Sequence, residues 1–296
     1  MSEPAKENRM MFLSLILTVT SALAAGPTLK VTDSCKKTSS TKMAYIVKQW
    51  HLGPNENTKL HPEIKPKPAQ NQQEIYEALA DWVRLKKIDT VLAEGCEGEI
   101  NPSFKPIFNG WSYADLAAAS ALVGYSALPT HAVLKLEAKL TTQVRSICAD
   151  DLAQVKNAQL ALSDMRADLG FWSRLKQYEK EPAKAKTYLE GVVESFQLKK
   201  GTSVSKAIVV VRTDLKKSFD HFLEANSKRN AEVVRTLKSE KSDKPIAIVY
   251  GGLHASELKT LIEKEGFNCE VYEPLHYNNE EAKLIEEFKA ALNPSK

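Results

Sequence analysis

Two of the six histidines in this chain of 296 residues end apolar runs. His254 follows residues 245–250 (PIAIVY) and the pair Gly251-Gly252, and His51 follows residues 43–50 (MAYIVKQW). An imidazole where a strand leaves a sheet is placed to bind a metal or to act as acid or base near neutral pH. Gly251 and Gly252 allow a tight turn or a close backbone approach to a ligand. The competing reading is that His254 caps the helix that starts near Ser256. Glu94 ends a third apolar run, 89–94 (DTVLAE), where a carboxylate is costly to bury unless paired or metal-bound. Asp150 and Asp151 end a fourth, 143–149 (QVRSICA). Asp151 directly precedes the next helix and is expected to cap it. Arg229 and Asn230 lie late in a helical section. An arginine there is either a solvated charge or a clamp for a carboxylate or oxyanion.

Two chemistries follow if these groups converge. His51, Glu94 and His254 would hold a divalent metal ion, lowering the pKa of a bound water toward about 7 and polarising a carbonyl. Without a metal, one histidine would act as base on water. Asp150, Asn230, Gly251 and Gly252 would support either arrangement. His51 and His254 on opposite faces of a sheet would remove the catalytic reading. The serine elbow G-x-S-x-G, the phosphate loop G-x-x-x-x-G-K-[ST], the zinc helix H-E-x-x-H and the dinucleotide turn G-x-G-x-x-G are all absent from the sequence. His61, His131, His221 and His276 lack the strand-end setting and read as loop or surface residues.

The elements that must position these residues alternate between strand and helix. Strands are expected at 43–50, 89–94, 143–149, 245–250 and 268–273, and helices at 72–87, 112–125, 132–140, 256–265 and 279–292. Residues 53–70 hold four prolines and read as a loop. From 152 to about 240 the pattern is helical, with breaks near Pro182 and Gly201. This predicts an α/β fold with a central mixed sheet and a large helical middle section. Residues 44–51 and 247–254 also repeat a unit of strand, turn and histidine. Each is followed by a helix and by a second strand ending in Glu94 or Glu273, as two pseudo-symmetric halves of one sheet would be. In open α/β sheets ligands bind beyond the carboxyl ends of the strands, where both histidines and both glutamates fall.

Composition is that of an ordinary globular protein: 43% of residues are hydrophobic and the formal net charge is +4, which gives no signature of a nucleic-acid binder. The N-terminus is more specific. Residues 10–25 (MMFLSLILTVTSALAA) follow Lys6 and Arg9 and end in Ala22-Leu23-Ala24, the pattern of a cleavable signal peptide. We therefore expect a signal peptide at 1–24, a flexible polar N-terminus at 25–42 and one α/β domain at 43–296, with a helical insertion at about 152–240. The mature chain would be exported, periplasmic or secreted, with no stable membrane span after cleavage. Oligomeric state has no signature here. Cys35, Cys96, Cys148 and Cys269 would meet an oxidising compartment, so one or two disulfides are expected. Sequence leaves all three full pairings open, and Cys148 and Cys269 also read as buried thiols.

Taken together, Gly251-Gly252-Leu253-His254, Arg229-Asn230, Leu92-Ala93-Glu94-Gly95 and His51 resemble the motifs of the Tiki/TraB/GumN superfamily, over residues 43–274. That superfamily also takes in ChaN-like haem-binding proteins and erythromycin esterases. Two motifs depart from its pattern. Lys48 stands where the first motif has glycine, and Cys148-Ala149-Asp150-Asp151 lacks the glycine of the central strand. The resemblance implies a polar cleft at the strand ends, with His51, Glu94 and His254 as the site and Arg229 as a supporting cation. It further implies a hydrolase of peptidase or esterase type acting on a small-molecule or peptide substrate, with a divalent metal ion as cofactor. The alternatives are haem or small-molecule binding in the same cleft, or an inactive interaction protein. A lysine beside the first histidine would repel a metal if it pointed inward.

Overall fold

The computed structural model describes residues 29–50, 66–100, 131–140, 142–278 and 280–293. The residues expected to form the signal peptide, the helix at 112–125, and His51 and His61 lie outside these. Seven strands form one sheet: β1 (Leu29–Ser34), β2 (Met43–Gln49), β3 (Thr90–Ala93), β4 (Glu97–Glu99), β5 (Arg145–Ala149), β6 (Ile246–Gly251) and β7 (Asn268–Pro274), in the order β1-β7-β2-β6-β3-β5-β4. The inner five are parallel, and β1 and β4 close the edges antiparallel. The expected α/β class with a mixed sheet is present.

Near-continuous apolar runs form the inner strands because both sheet faces are covered. Val47, Val91, Ala247 and Val249 pack against α1 (Pro66–Arg84) and α2 (His131–Leu140). Ile46, Leu92, Ile248 and Tyr250, one residue out of phase, pack on the other face against the later helices α5 (Val204–Ser239) and α6 (Ala255–Lys264). The units β2-α1-β3 and β6-α6-β7 therefore place their helices on opposite faces. In each unit the second strand lies beyond the first strand of the other unit. A pseudo-twofold axis between β2 and β6 gives this order, which supports the repeat seen in the sequence.

The helical middle section contains α3 (Leu152–Tyr178), a 3-10 turn at Pro182–Ala185, α4 (Lys186–Ser195) and α5. The breaks fall where Pro182 and Gly201 place them. At 1.5 Å per residue, α5 is about 54 Å long. Its C-terminal part lays Val233, Val234 and Leu237 on the sheet. Its N-terminal part extends beyond, packing Leu215, Phe219 and Phe222 against Met165 of α3 and Phe288 of α7 (Glu280–Leu292). No helix among the described residues is long and apolar enough to cross a membrane.

Three expectations need correction. Helix α1 begins at Pro66, inside the segment read as loop, because prolines in a first turn forgo only N–H groups that have no helical partner. Residues 29–34, within the polar stretch expected to be flexible, form β1. Only Leu29 of that strand is buried, so backbone pairing with β7 holds it and no apolar pattern announces it. The three-residue β4 was not expected either. Both edge strands are fastened by disulfides, Cys35–Cys269 beside β1 and Cys96–Cys148 beside β4. This is one of the three possible pairings, and no cysteine is free.

Candidate functional site

Four adjacent parallel strands, β2, β6, β3 and β5, end on polar or glycine positions at one rim of the sheet. Gln49 and Gly251 are the last residues of β2 and β6, and Glu94 and Asp150 are the first residues past β3 and β5. Above them runs α5. Its residues Asn226, Arg229 and Asn230 share one helix face with the core residues Val233 and Val234, at helical spacing. Burying those valines carries the polar residues one turn earlier over the strand ends. All of Gln49, Glu94, Asp150, Asn226, Arg229, Asn230 and His254 are buried.

Arg229 is the hub. Its Nε and Nη2 donate to the two Asp150 oxygens at 2.9 and 2.8 Å, a bidentate pair. Nη2 also donates to Glu94 Oε1 at 2.7 Å, and Nη1 donates to Asn226 Oδ1 at 3.0 Å and to His254 Nε2 at 3.2 Å. Its full complement of N–H donors is engaged. Glu94 Oε2 accepts from Gln49 Nε2 at 2.8 Å and from the Gly251 backbone N–H at 2.5 Å. Asp150 accepts further from the N–H groups of Gly95 and Asp151, each at 2.9 Å. Burial is the largest influence on the Asp150 carboxyl and pushes its pKa up, against the pull of Arg229. For Arg229, burial opposes the charge, but Asp150 and then Glu94 reverse that and raise its pKa.

The imidazole of His254 is held in one tautomer. Asn230 Nδ2 donates to Glu257 Oε2 at 2.8 Å, which turns Asn230 Oδ1 to His254 Nδ1 at 2.7 Å. Nδ1 therefore carries the proton, and Nε2 presents a lone pair to Arg229, 3.7 Å from Glu94 Oε1. Two buried carboxyl groups thus share one guanidinium. Tyr250 stacks edge-on against His254 with ring centroids 5.4 Å apart and donates to the Ala149 carbonyl. Burial, and then Asp150, push its phenol well above the usual value, so it stays protonated.

The structure thus brings together Glu94, Asp150, Arg229, Asn230, Gly251 and His254. His51 lies outside the described residues. Asp151 is the α3 N-cap, accepting from Gln154 N at 3.1 Å, as its position predicts. His254 occupies the residue before α6, but its side chain makes no capping bond. Gly252 serves a close approach, since a Cβ there would lie 1.7 Å from the Tyr277 hydroxyl oxygen. Lys48 is turned to Glu273 on β7 at 2.9 Å, away from Glu94. Gln49, Asn226 and Glu257 escaped the sequence reading. A glutamine ending an otherwise apolar strand and an asparagine one turn before Arg229 were the available signals.

A metal held by Glu94 and His254 would lie between Oε1 and Nε2, and the Arg229 guanidinium already bonds both atoms. In this arrangement the two residues do not fit a divalent cation. Among the described residues, no group of three or more His, Cys, Asp or Glu could hold a metal ion. Haem ligation by His254 meets the same obstacle, because the lone pair of Nε2 faces Arg229 and the residue is only 4% exposed. Compared with family models, curated proteins and solved structures, the chain matches none.

Proposed function

We propose that this chain is an exported, Tiki/TraB-like hydrolase that attacks an ester or amide carbonyl at the strand-end rim, with His254 as general base. The observation that carries this is the fixed imidazole. The relay from Glu257 through Asn230 keeps the proton on Nδ1 and the lone pair on Nε2, where it accepts from Arg229 Nη1 at rest and meets water once that 3.2 Å contact opens. A base needs its correct tautomer held in place before it can take a proton from water. Glu94, Asp150 and Arg229 supply a rigid, preorganised charge framework around it. Export rests on the apolar segment at 10–25 and agrees with two disulfides, bonds that persist in oxidising compartments.

A second reading, a binding protein without turnover, is favoured by the full engagement of Arg229, which leaves that side chain no spare donor for a developing oxyanion.

The test is hydrolysis of p-nitrophenyl acetate and a panel of short peptides by the purified mature protein, with and without EDTA. Turnover should be unaffected by EDTA and should fall by about 10²–10⁴-fold in His254→Ala. Circular dichroism would confirm that the variant is folded. A His254→Ala protein as fast as the parent removes the base assignment, and no turnover on any substrate leaves the binding reading.

A further inference from the structure

Among the described elements helix α1 follows β2, and its bonds to the end of that strand set its N-terminal turns at the rim that holds Glu94. Two amides in its second turn reach the end of β2. Gln72 Nε2 donates to Gln49 Oε1 at 3.2 Å, and Gln49 passes the contact to Glu94. Gln72 Oε1 in turn accepts from Ala132 N at 3.2 Å. Its neighbour Asn71 accepts from the Trp50 backbone N–H at 2.8 Å through Oδ1.

That bond decides the amide orientation of Asn71, because only the oxygen can face an N–H donor. The amino group is left on the opposite arm. Asn71 is 0% exposed, and its Nδ2 has no hydrogen-bond partner among the described residues. Buried amide donors are nearly always satisfied, and an orphan calls for an explanation. Trp50, whose backbone N–H meets Oδ1, is itself buried. The N-terminal end of a helix 19 residues long adds a partial positive charge on the same side. A buried, unpartnered N–H donor near the start of a helix suits an oxygen that carries partial negative charge.

We propose that Asn71 Nδ2 is the hydrogen-bond donor to the carbonyl oxygen of an ester or amide bound at this rim. The inference rests on the rim being the ligand site and adds a residue on β2's side of it. In the hydrolytic reading, water adds to the carbonyl carbon and its proton passes to His254 Nε2. The C=O pair moves onto the oxygen that Asn71 holds. When that pair returns, the C–O or C–N bond breaks and the leaving group recovers the proton from His254. In the resting site Arg229 has no spare donor, whereas Asn71 Nδ2 has one.

The experiment has two arms. In the first, the ¹⁵N-labelled protein is titrated with N-methylacetamide and, separately, with ethyl methyl ether, which lacks a carbonyl. The Asn71 side-chain cross-peaks are assigned by their loss in Asn71→Asp. A saturable shift of those peaks with the amide alone is expected. Unmoved peaks, or equal shifts with the ether, overturn the proposal. In the second, Asn71→Asp keeps an oxygen for Trp50 N and removes the donor. Its kcat on p-nitrophenyl acetate should fall by about 10²–10³-fold, read below a Tm that burial of the new carboxyl lowers and with circular dichroism showing the fold, and Asn71→Ala should show the same fall in kcat. An Asn71→Asp protein with unchanged kcat overturns the inference and leaves the hydrolase reading standing. A parent without turnover removes the hydrolase reading, and the titration alone then decides Asn71.

Discussion

Glu94 and Glu273 occupy matching positions in the two halves of the sheet, yet their surroundings have little in common. Glu94 is 4% exposed and is bonded by Arg229 from α5, Gln49 from β2 and the backbone of β6. The Glu273 side chain is 36% exposed and, among the described residues, pairs with Lys48 alone. One fold position thus carries a buried network in one half and a half-open ion pair in the other. The cause is α5, whose C-terminal part covers the rim beside β3 and β5 with a guanidinium, a cation whose planar fork can serve two carboxylates at once. A lysine at that place would satisfy fewer acceptors. Covering helix and cation type, rather than the strand, decide whether a strand-end glutamate becomes part of a site.

The largest effect should come from removing the hub. Arg229→Leu takes from the buried Glu94 and Asp150 the guanidinium that both bond, a loss we expect to cost about 3–5 kcal/mol in urea unfolding. Part of that loss should be regained as pH falls. Without the guanidinium, a buried Asp150 carboxyl would have a folded pKa above its unfolded one, so the folded state would bind more protons and gain stability on acidification. A loss below about 1 kcal/mol would mean that water enters the rim and that the contrast with Glu273 is one of degree.

A third carboxylate sharpens the comparison because, among the described residues, it is buried without a paired cation. Asp168 of α3 lines a cavity of about 510 Å³ and meets the Ser218 hydroxyl at 3.4 Å. Burial, with lesser contributions from Asp214 on α5 and Asp164 on its own helix, raises its pKa to about 6. Lys217 and His221 of α5 line the same cavity, and Lys217 is paired with Asp214. The folded pKa lies above the usual 3.8, so the folded state holds the proton more tightly. Stability should therefore be full below about pH 4 and decline as pH rises toward 6. Solvent at the cavity mouth screens the penalty to about 1 kcal/mol. Asp168→Asn should be more stable than the parent by that amount at pH 7.5 and should flatten the slope of Tm between pH 4 and 6. A steeper slope in the variant would sink this assignment.

Much of this was legible in the sequence, for a physical reason. Apolar runs such as 245–250 fix strands covered on both faces, and a charged residue ending such a run has few places to go but the rim. Glu94, Asp150 and His254 were found in that way, and the repeat supplied the pairing of halves. What escaped was carried by groups without charge or by backbone. Gln49, Asn71 and Asn226 are amides whose roles depend on which atom meets which, and β1 is held by pairing and a disulfide rather than by burial. How Glu94 and His254, two of the three expected metal ligands, sit beside each other needed a distance. Spacing along the chain places Glu94 and His254 at neighbouring strand ends, but only the fold shows Arg229 bonded to both.

The smallest effect belongs to the open half. Lys48→Met removes the pair with Glu273 while keeping a long apolar stem along β2, and a half-exposed ion pair is worth roughly 0.2–1 kcal/mol. The remaining Glu273 can turn to solvent, so no buried charge is stranded. We expect a change in unfolding free energy below about 1 kcal/mol, shrinking further in high salt as the pair is screened. A double-mutant cycle with Glu273→Gln isolates the coupling between the two side chains. If that coupling matched the cost of Arg229→Leu, the half-open pair would hold as firmly as the buried network, and burial under α5 would no longer explain why the two halves differ.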